Sequence, residues 1–471
     1  MCSNTIKTNI LFIKLQMKRN FLEALLKTFL VCMLGILMFS SCSSTDYANA
    51  MPSSCTALMK FDASKMKSEN VTDAMRMLFP IDEVKDCGID FGSNVYLFET
   101  VDGNIGLCAK VKDTGDLEDL FDALANKGKS SKLRKQGGNW LTDINGSWAV
   151  AFSGKSLLVL GPVASASIPD TQRFLVRMLK QDEDKSIVAK PIFEKVNAMP
   201  NAVALVAQVQ ALPEKMVAPF TIGMPSGADA SQVLIAAGIE KEDRLLVFNG
   251  ESFSFDASLD KAIKTSNEVY RKIDGKYLSL IPSNSFFSLY TNIDGQKFLP
   301  MLQASKPMQT LLVGLNTAID FDNIIRSIDG DFVLTTNSLS SDNIDMTFFA
   351  QVKNPTWVAD VDYWKKSCPR GSSLSGDLAN GWTYASGTTK MFFGLRESKD
   401  FYCTSNEKND GRGLPLGERM SQELTKKMSD ARLAMTLNIK ALSATGVVPK
   451  GVSDTMDKLL GNTEAIVYII K

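Results

Sequence analysis

Histidine is absent from the 471 residues, and that absence removes more chemistry than any motif adds. No Ser-His-Asp or Cys-His nucleophile can be assembled, no imidazole can hold a metal, and no side chain titrates near neutrality unperturbed. A catalyst here would have to use carboxylates, lysine, tyrosine or a thiolate. An excess of either charge is missing too. Lys+Arg and Asp+Glu stand at 52 each, which leaves no electrostatic footprint for nucleic acid. The basic cluster KGKSSKLRK at 127–135 reads as a solvated loop. No two cysteines have the C-x-x-C spacing of a zinc or redox pair. The apolar run TFLVCMLGILMF covers only 28–39, too short for the roughly 20 residues that span a bilayer.

That short run has a basic flank, Lys18, Arg19 and Lys27, and ends in the small residues of FSSC, Phe39 to Cys42. Basic flank, short apolar stretch and small residues are the order of a secretory signal. Met17 opens a signal of ordinary length by itself, so residues 1–16 read as an over-long start. The string before Cys42 resembles a bacterial lipobox, with Phe39 where leucine is usual. The resemblance implies that residues 1–41 are removed, that Cys42 is acylated, and that 42–50 form a lipidated tether. A diacylglycerol on Cys42 brings two chains, enough for stable anchoring where one chain binds marginally. The expected location is the outer membrane, lipid-anchored, on its periplasmic face or at the cell surface.

What remains is too long for one ordinary core and suggests two domains. Apolar content of 45% and charged content of 22% are those of a globular chain. Two apolar-rich runs in VYLFETVDGNIGLCAKVK (95–112) hinge on Asp102-Gly103, a hairpin signal. Leu117, Leu120, Phe121 and Leu124 then follow helical spacing, with Gly128 beyond the end. Residues 139–161 give three short strands with turns at Asn145-Gly146 and Ser153-Gly154. A helix near 170–181, a strand at 202–210, a hairpin over 233–253 and a helix near 257–272 complete the first half. The same order returns some 230–240 residues later. IPSNSFFSLYTNIDGQKF answers MPSSCTALMKFDASKM, TWVADVDYWKKS answers the helix of 116–126, and Trp382 answers Trp140. The expected class is α+β. It comprises two related repeats, 51–275 and 276–471, each an antiparallel sheet with helices on one side.

Catalytic motifs fail on inspection. Ser64-x-x-Lys67, Ser258-x-x-Lys261 and Ser341-Asp342-Asn343 suggest a serine acyl enzyme, but the required K-T-G is missing. Ser64 and Ser258 sit where helix caps belong, and 341–343 where a turn does. Gly154 in SGKS lacks the earlier glycine of a phosphate loop, Ala149 standing there. Gly411, Gly413 and Gly417 miss the dinucleotide spacing. The tryptophans Trp140, Trp148, Trp357, Trp364 and Trp382 read as core, with sugar stacking as the alternative. Of the cysteines beyond Cys42, namely Cys55, Cys87, Cys108, Cys368 and Cys403, the last two are nearest in sequence for a bridge. Free buried thiols are equally compatible.

The segments KIDGKYLSL, IPSNSFFSLYTNIDGQKFLPML and YLFET…GLCAKVKDTGDLEDLFDAL, together with the lipobox, resemble the domain-of-unknown-function 4836 family. The resemblance implies exported bacterial lipoproteins without an established activity, and it transfers only Cys42. No catalytic residue, cofactor or metal is expected. The expected role is binding or scaffolding at the envelope, with the membrane, other envelope proteins or glycans as partners. Alternatives are a glycan hydrolase using a carboxylate pair and a periplasmic assembly factor with an exposed apolar groove.

Overall fold

The computed structural model describes residues 45–65, 87–212, 224, 229–242, 244–278, 285–305, 309, 312, 316, 319–336, 346–387, 389–397, 399–405, 422–429, 431–439, 441 and 463–471. Residues 1–44 with Cys42, as well as Lys67, Ser341–Asn343, Gly411, Gly413 and Gly417, lie outside the described residues. The chain is α+β, with antiparallel sheet and helices, and it forms two compact units. The first takes residues 1–213, 234–240 and 454–461; the second takes 214–233, 241–453 and 462–471. The division differs from the one read near 275, because a strand at 245–253 pairs with the C-terminal strand and so joins the second unit.

The first unit contains β1 (Cys55–Phe61), β2 (Val95–Thr100), β3 (Ile105–Lys110), β4 (Arg134–Gln136), β5 (Asn139–Ile144), β6 (Trp148–Phe152), β7 (Ser156–Gly161), β8 (Val203–Gln208) and the first seven residues of β9 (Leu234–Glu242). Its order is β4-β5-β6-β7-β3-β2-β1-β8-β9, antiparallel throughout. Local chemistry sets the turns. Asn145 and Gly146 both have positive φ, 52° and 65°, in the three-residue turn 145–147 that joins β5 to β6, a conformation that asparagine and glycine tolerate.

Helix α1 (Thr114–Asn126) starts where Asp113 accepts from the N–H groups of Gly115 and Asp116 at 2.7 and 3.2 Å. It stops where Gly128, at φ 67°, lets the N–H groups of 128 and 129 return to the carbonyls of Ala125 and Leu124. The periodic residues Leu117, Leu120, Phe121 and Leu124 are all buried. Helix α2 (Ile168–Met178) packs on β5, β6 and β7, and α3 (Pro191–Ala198) on β1 and β8. Of the stretch read as tether, Asp46–Ala50 is instead a 3-10 helix with Tyr47, Ala48 and Ala50 buried. Its aromatic and small side chains pack into the unit, so this segment belongs to the body.

The second unit contains β10 (Leu245–Phe253), β11 (Tyr270–Arg271), β12 (Phe287–Asp294), β13 (Ile328–Thr336), β14 (Met346–Val352), β15 (Ser372–Asp377), β16 (Gly381–Ser386), β17 (Thr389–Arg396), β18 (Asp400–Thr404), β19 (Leu433–Asn438) and β20 (Ala465–Ile470). The order is β15-β16-β17-β18-β14-β13-β12-β19-β20-β10, with β11 against the far end of β12. Only the β10–β20 pair is parallel among the described pairings of this unit.

Helices α4 (Ala257–Asn267), α5 (Gly295–Ala304) and α6 (Phe321–Arg326) open on the aspartate caps Asp256, Asp294 and Asp320; α7 (Val361–Ser367) and α8 (Gln422–Ser429) follow. Helix α4, read as part of the first repeat, packs on β10 in this unit. The core is aromatic. Trp357 is fully buried, lies 5.7 Å from Phe401 and 5.9 Å from Trp382, and stacks at 6.1 Å on Trp364.

Candidate functional site

The densest buried polar cluster among the described residues surrounds the turn between β11 and β12, in the string KIDGKYL (272–278). Asp274-Gly275 makes a sharp bend, with Gly275 at φ 91°, a conformation glycine adopts without strain. The bend aims three successive N–H groups inward, those of Asp274, Gly275 and Lys276. Such a run of backbone donors forms an anion-binding concavity, and the anion here is the chain's own. Asp331, on β13 and 0% exposed, accepts from the three at 2.8, 2.7 and 2.8 Å. Asn292 Nδ2 donates at 3.0 Å and the Tyr290 hydroxyl at 3.4 Å. Five donors on one carboxylate offset the cost of burying its charge.

A second carboxylate extends the cluster. Asp400, at the start of β18, accepts from Lys276 Nζ at 2.5 Å and from the Tyr277 hydroxyl at 2.8 Å. Burial pushes both the Tyr277 and Tyr290 phenols up, and the Asp400 and Asp331 charges push them further. These hydroxyls therefore stay protonated and act as donors. The Tyr290 hydroxyl also accepts from the Tyr277 N–H at 2.8 Å. Asp331 thus accepts from three turn groups at 274–276 and from two β12 side chains, and so holds the 272–278 turn to the sheet. The arrangement is a latch, whose chemistry is positional.

The residues singled out from the sequence fall elsewhere. Ser258 donates to its own cap, Asp256, at 2.6 Å, and Ser64 donates to Asp62 at 2.6 Å; both serve local turns. Ser153, next to Gly154, accepts from the N–H groups of Lys155 and Ser156 in the β6–β7 turn. Cys55, Cys87, Cys108, Cys368 and Cys403 form no disulfide, the bridge between Cys368 and Cys403 included, and of these five only Cys368 is not buried. Burial pushes the Cys403 thiol up to about 12 and those of Cys55 and Cys108 higher still, which opposes formation of the reactive thiolate. Among the described residues, no group of three His, Cys, Asp or Glu side chains could hold a metal ion. No described helix is long and apolar enough to cross a membrane.

Trp357, Trp364 and Trp382 are buried. Trp140 is only half-buried. It stacks on Phe152 at 5.1 Å, has Lys135 Nζ 4.2 Å above its ring, and keeps an unpartnered Nε1. Reading the sequence missed Asp331 and Asp400, which are two among 52 acidic residues. The available signal was Asp274-Gly275, a turn string whose three inward N–H groups require an acceptor.

Two crystal forms of a protein described as TP0453 show a slight likeness. They are 12% and 11% identical, with TM-scores of 0.28, over 45% and 47% of this chain and 82% and 85% of the other. That likeness is too small to assign a fold or a role. No curated protein sequence matches the chain. A family profile does match, over residues 60–465. The chain, matched from the end of β1 to the start of β20 and with the KIDGKYL turn inside the match, belongs to the family described as domain of unknown function DUF4836.

Proposed function

We propose that the protein is a lipid-anchored, non-catalytic scaffolding or binding protein of the cell envelope, held at the outer membrane through Cys42. The observation that carries this reading is how firmly the segment from Tyr47 to Met51, a few residues after Cys42 in sequence, is seated in the body. Tyr47 donates to the carbonyl of Asn94 at 2.5 Å, and its own carbonyl accepts from Ser156 Oγ at 3.0 Å. Gln181 Nε2 donates to the carbonyls of Asn49 and Met51 at 2.5 and 2.7 Å. Acyl chains on Cys42 would therefore hold a body that begins only a few residues downstream. A self-saturated latch and the buried, weakly acidic thiols of Cys55, Cys108 and Cys403 are compatible with a scaffold.

The two units are best read as repeats, each with its helices on one side of the sheet. Two strand orders support this: β4-β5-β6-β7-β3-β2-β1-β8 in the first and β15-β16-β17-β18-β14-β13-β12-β19 in the second. In the matching orders β1 lies between β2 and β8, and β12 lies between β13 and β19. The experiment is a Cys42→Ala substitution in the native host. The parent chain is expected to incorporate labelled fatty acid and to fractionate with the outer membrane, and the variant to do neither. Unchanged processing and membrane retention in the variant would overturn the anchor.

A further inference from the structure

The cations of the first unit are unevenly placed. Residues 127–142 contain Lys127, Lys129, Lys132, Arg134 and Lys135 and no acidic residue, in a chain whose total charge balances. The segment forms the outer edge of the unit's sheet. Ser130 bridges to Ile144, and β4 pairs only with β5 among the described strands. Lys129, Lys132, Arg134 and Lys135 are exposed. Arg134 donates to Gln172 Oε1 on α2 at 2.8 Å, and Lys135 lies over the Trp140 ring; neither pairs with a carboxylate among the described residues. Arg134 reaches α2, and because strand side chains alternate, its neighbour Lys135 takes the opposite side. The edge therefore presents positive charge to both sides and along its rim. A short, charged edge strand resists pairing with other strands, but that purpose does not require five cations without an intervening acid.

Position relative to the chain start adds the second observation. Exposed Lys180, just past α2, places its Nζ 3.9 Å from where a Cβ on Gly137 would sit, in the β4–β5 turn. The next residue, Gln181, holds the carbonyls of Asn49 and Met51. The basic edge is thus joined through two consecutive residues to the segment that follows Cys42. Gln181 is followed by Asp182, Glu183 and Asp184, so the charge changes sign there and the edge-strand side is the positive one. Asp46 is four residues on from Cys42, a reach of at most about 14 Å at ~3.5 Å per residue. Screening in physiological salt acts over about 8 Å. Headgroups under an acylated Cys42 would be the anions at highest effective concentration around this edge.

We propose that Lys129, Lys132, Arg134, Lys135 and Lys180 form a docking surface for anionic phospholipid headgroups, a second, electrostatic contact beside the acyl anchor. This rests on the anchored reading above, and the test separates the two. The full chain carrying Cys42→Ala, which cannot be acylated, is sedimented with vesicles. One set is phosphatidylcholine with a quarter phosphatidylglycerol; the other is phosphatidylcholine alone. The apolar stretch at 28–39 and its basic flank, Lys18, Arg19 and Lys27, are common to every variant, so the comparison between variants reads the edge. Binding is expected to favour the anionic vesicles and to fall in 0.5 M salt.

Adding Lys129→Gln, Lys132→Gln and Lys135→Gln is expected to lower anionic-vesicle affinity by roughly fivefold per lysine, on the order of 100-fold in total. The control Lys261→Gln, Lys366→Gln, Lys399→Gln removes the same charge from the other unit and is expected to leave binding unchanged. Both triple variants should keep the parental unfolding midpoint. Equal binding to both vesicle sets, or equal losses in the two variants, would overturn the surface even if Cys42 is acylated in cells. Retention on duplex DNA in place of vesicles, abolished by the first triple, would overturn it in favour of a nucleic-acid partner.

Discussion

Lys60 in β1 and Asp331 in β13 are both almost completely inaccessible, at 2% and 0% exposure, yet they carry opposite charges in units of similar strand order. Lys60 donates from Nζ to the carbonyls of Asn197 and Met199, at 3.4 and 2.8 Å, where α3 ends. A helix C-terminus presents unpaired carbonyls and a partial negative charge, and an ammonium group complements both. Asp331 meets the reverse situation, three inward N–H groups on a bend. In each unit the backbone polarity of the returning segment selects the sign of the buried side chain. The difference lies in the number of bonds. Lys60 makes two, and burial lowers its proton affinity, with Lys65 adding to the effect; Asp331 accepts from five donors.

That contrast predicts the largest effect. Asp331→Ala strands buried backbone donors at 274–276 and is expected to destabilise the second unit by about 4 kcal/mol. Lys60→Met preserves volume and removes a costly charge, so about 1 kcal/mol is expected. Urea unfolding followed by hydrogen exchange resolved to β1–β3 and β12–β14 would read both. Equal losses would mean that the bond count does not set the difference.

The tryptophans at matching hairpin positions give the next largest contrast. Trp140 faces Phe152 across β5–β6, and Trp382 faces Phe393 across β16–β17. Trp382 is 4% exposed and packs on Trp357, so Trp382→Ala should cost about 3–4 kcal/mol. Trp140 has one ring face covered only by an exposed lysine, and its truncation should cost about half as much. A larger loss at Trp140, measured as a urea midpoint shift, would indicate that the first unit's outer hairpin carries more of its core than its exposure implies.

The smallest contrast is expected in alkali. Tyr270 is pushed up to about 12 by burial, Cys403 likewise to about 12, and Tyr277, Tyr290 and Tyr468 are raised further. These acids keep their protons when folded, while the unfolded forms release theirs near the ordinary 9 of cysteine and 10 of tyrosine. Stability contributed by them is full below that range and declines above it. Tyr47, Tyr96, Cys55 and Cys108 act likewise in the first unit. Lys60 acts oppositely there. Its folded pKa is lowered from 10.5, so the unfolded state binds more protons and stability rises as pH climbs toward 10.5. The second unit is therefore expected to lose protection first between pH 9 and 10.5, by a margin of about 1 kcal/mol. Simultaneous loss, or the first unit leading, would contradict the assignment of Lys60.

The elements were legible wherever short-range chemistry decides them. Asn145-Gly146 dictates a tight hairpin, Asp113 and Gly128 bracket α1, and Leu117, Leu120, Phe121 and Leu124 declare its buried face. The unit boundary was not legible, because β10 joins the second unit through pairing with β20, some 220 residues away, and no local pattern encodes a partner at that distance. The role of 46–50 was equally hidden: DYANA reads as a polar linker until Asn94, Ser156 and Gln181 supply its hydrogen bonds.

Composition alone therefore determined which chemistries are missing, since a residue that is absent cannot be supplied by folding. Periodicity and caps determined most helices and hairpins, since their bonds close within a few residues. Only the tertiary structure decided that Asp331, among 52 acidic residues, is the one buried against three N–H groups. It alone decided that Lys180 and Gln181 link the basic edge to the chain start. Both facts depend on segments far apart in sequence meeting in space, where burial gives a few hydrogen bonds and charges their weight.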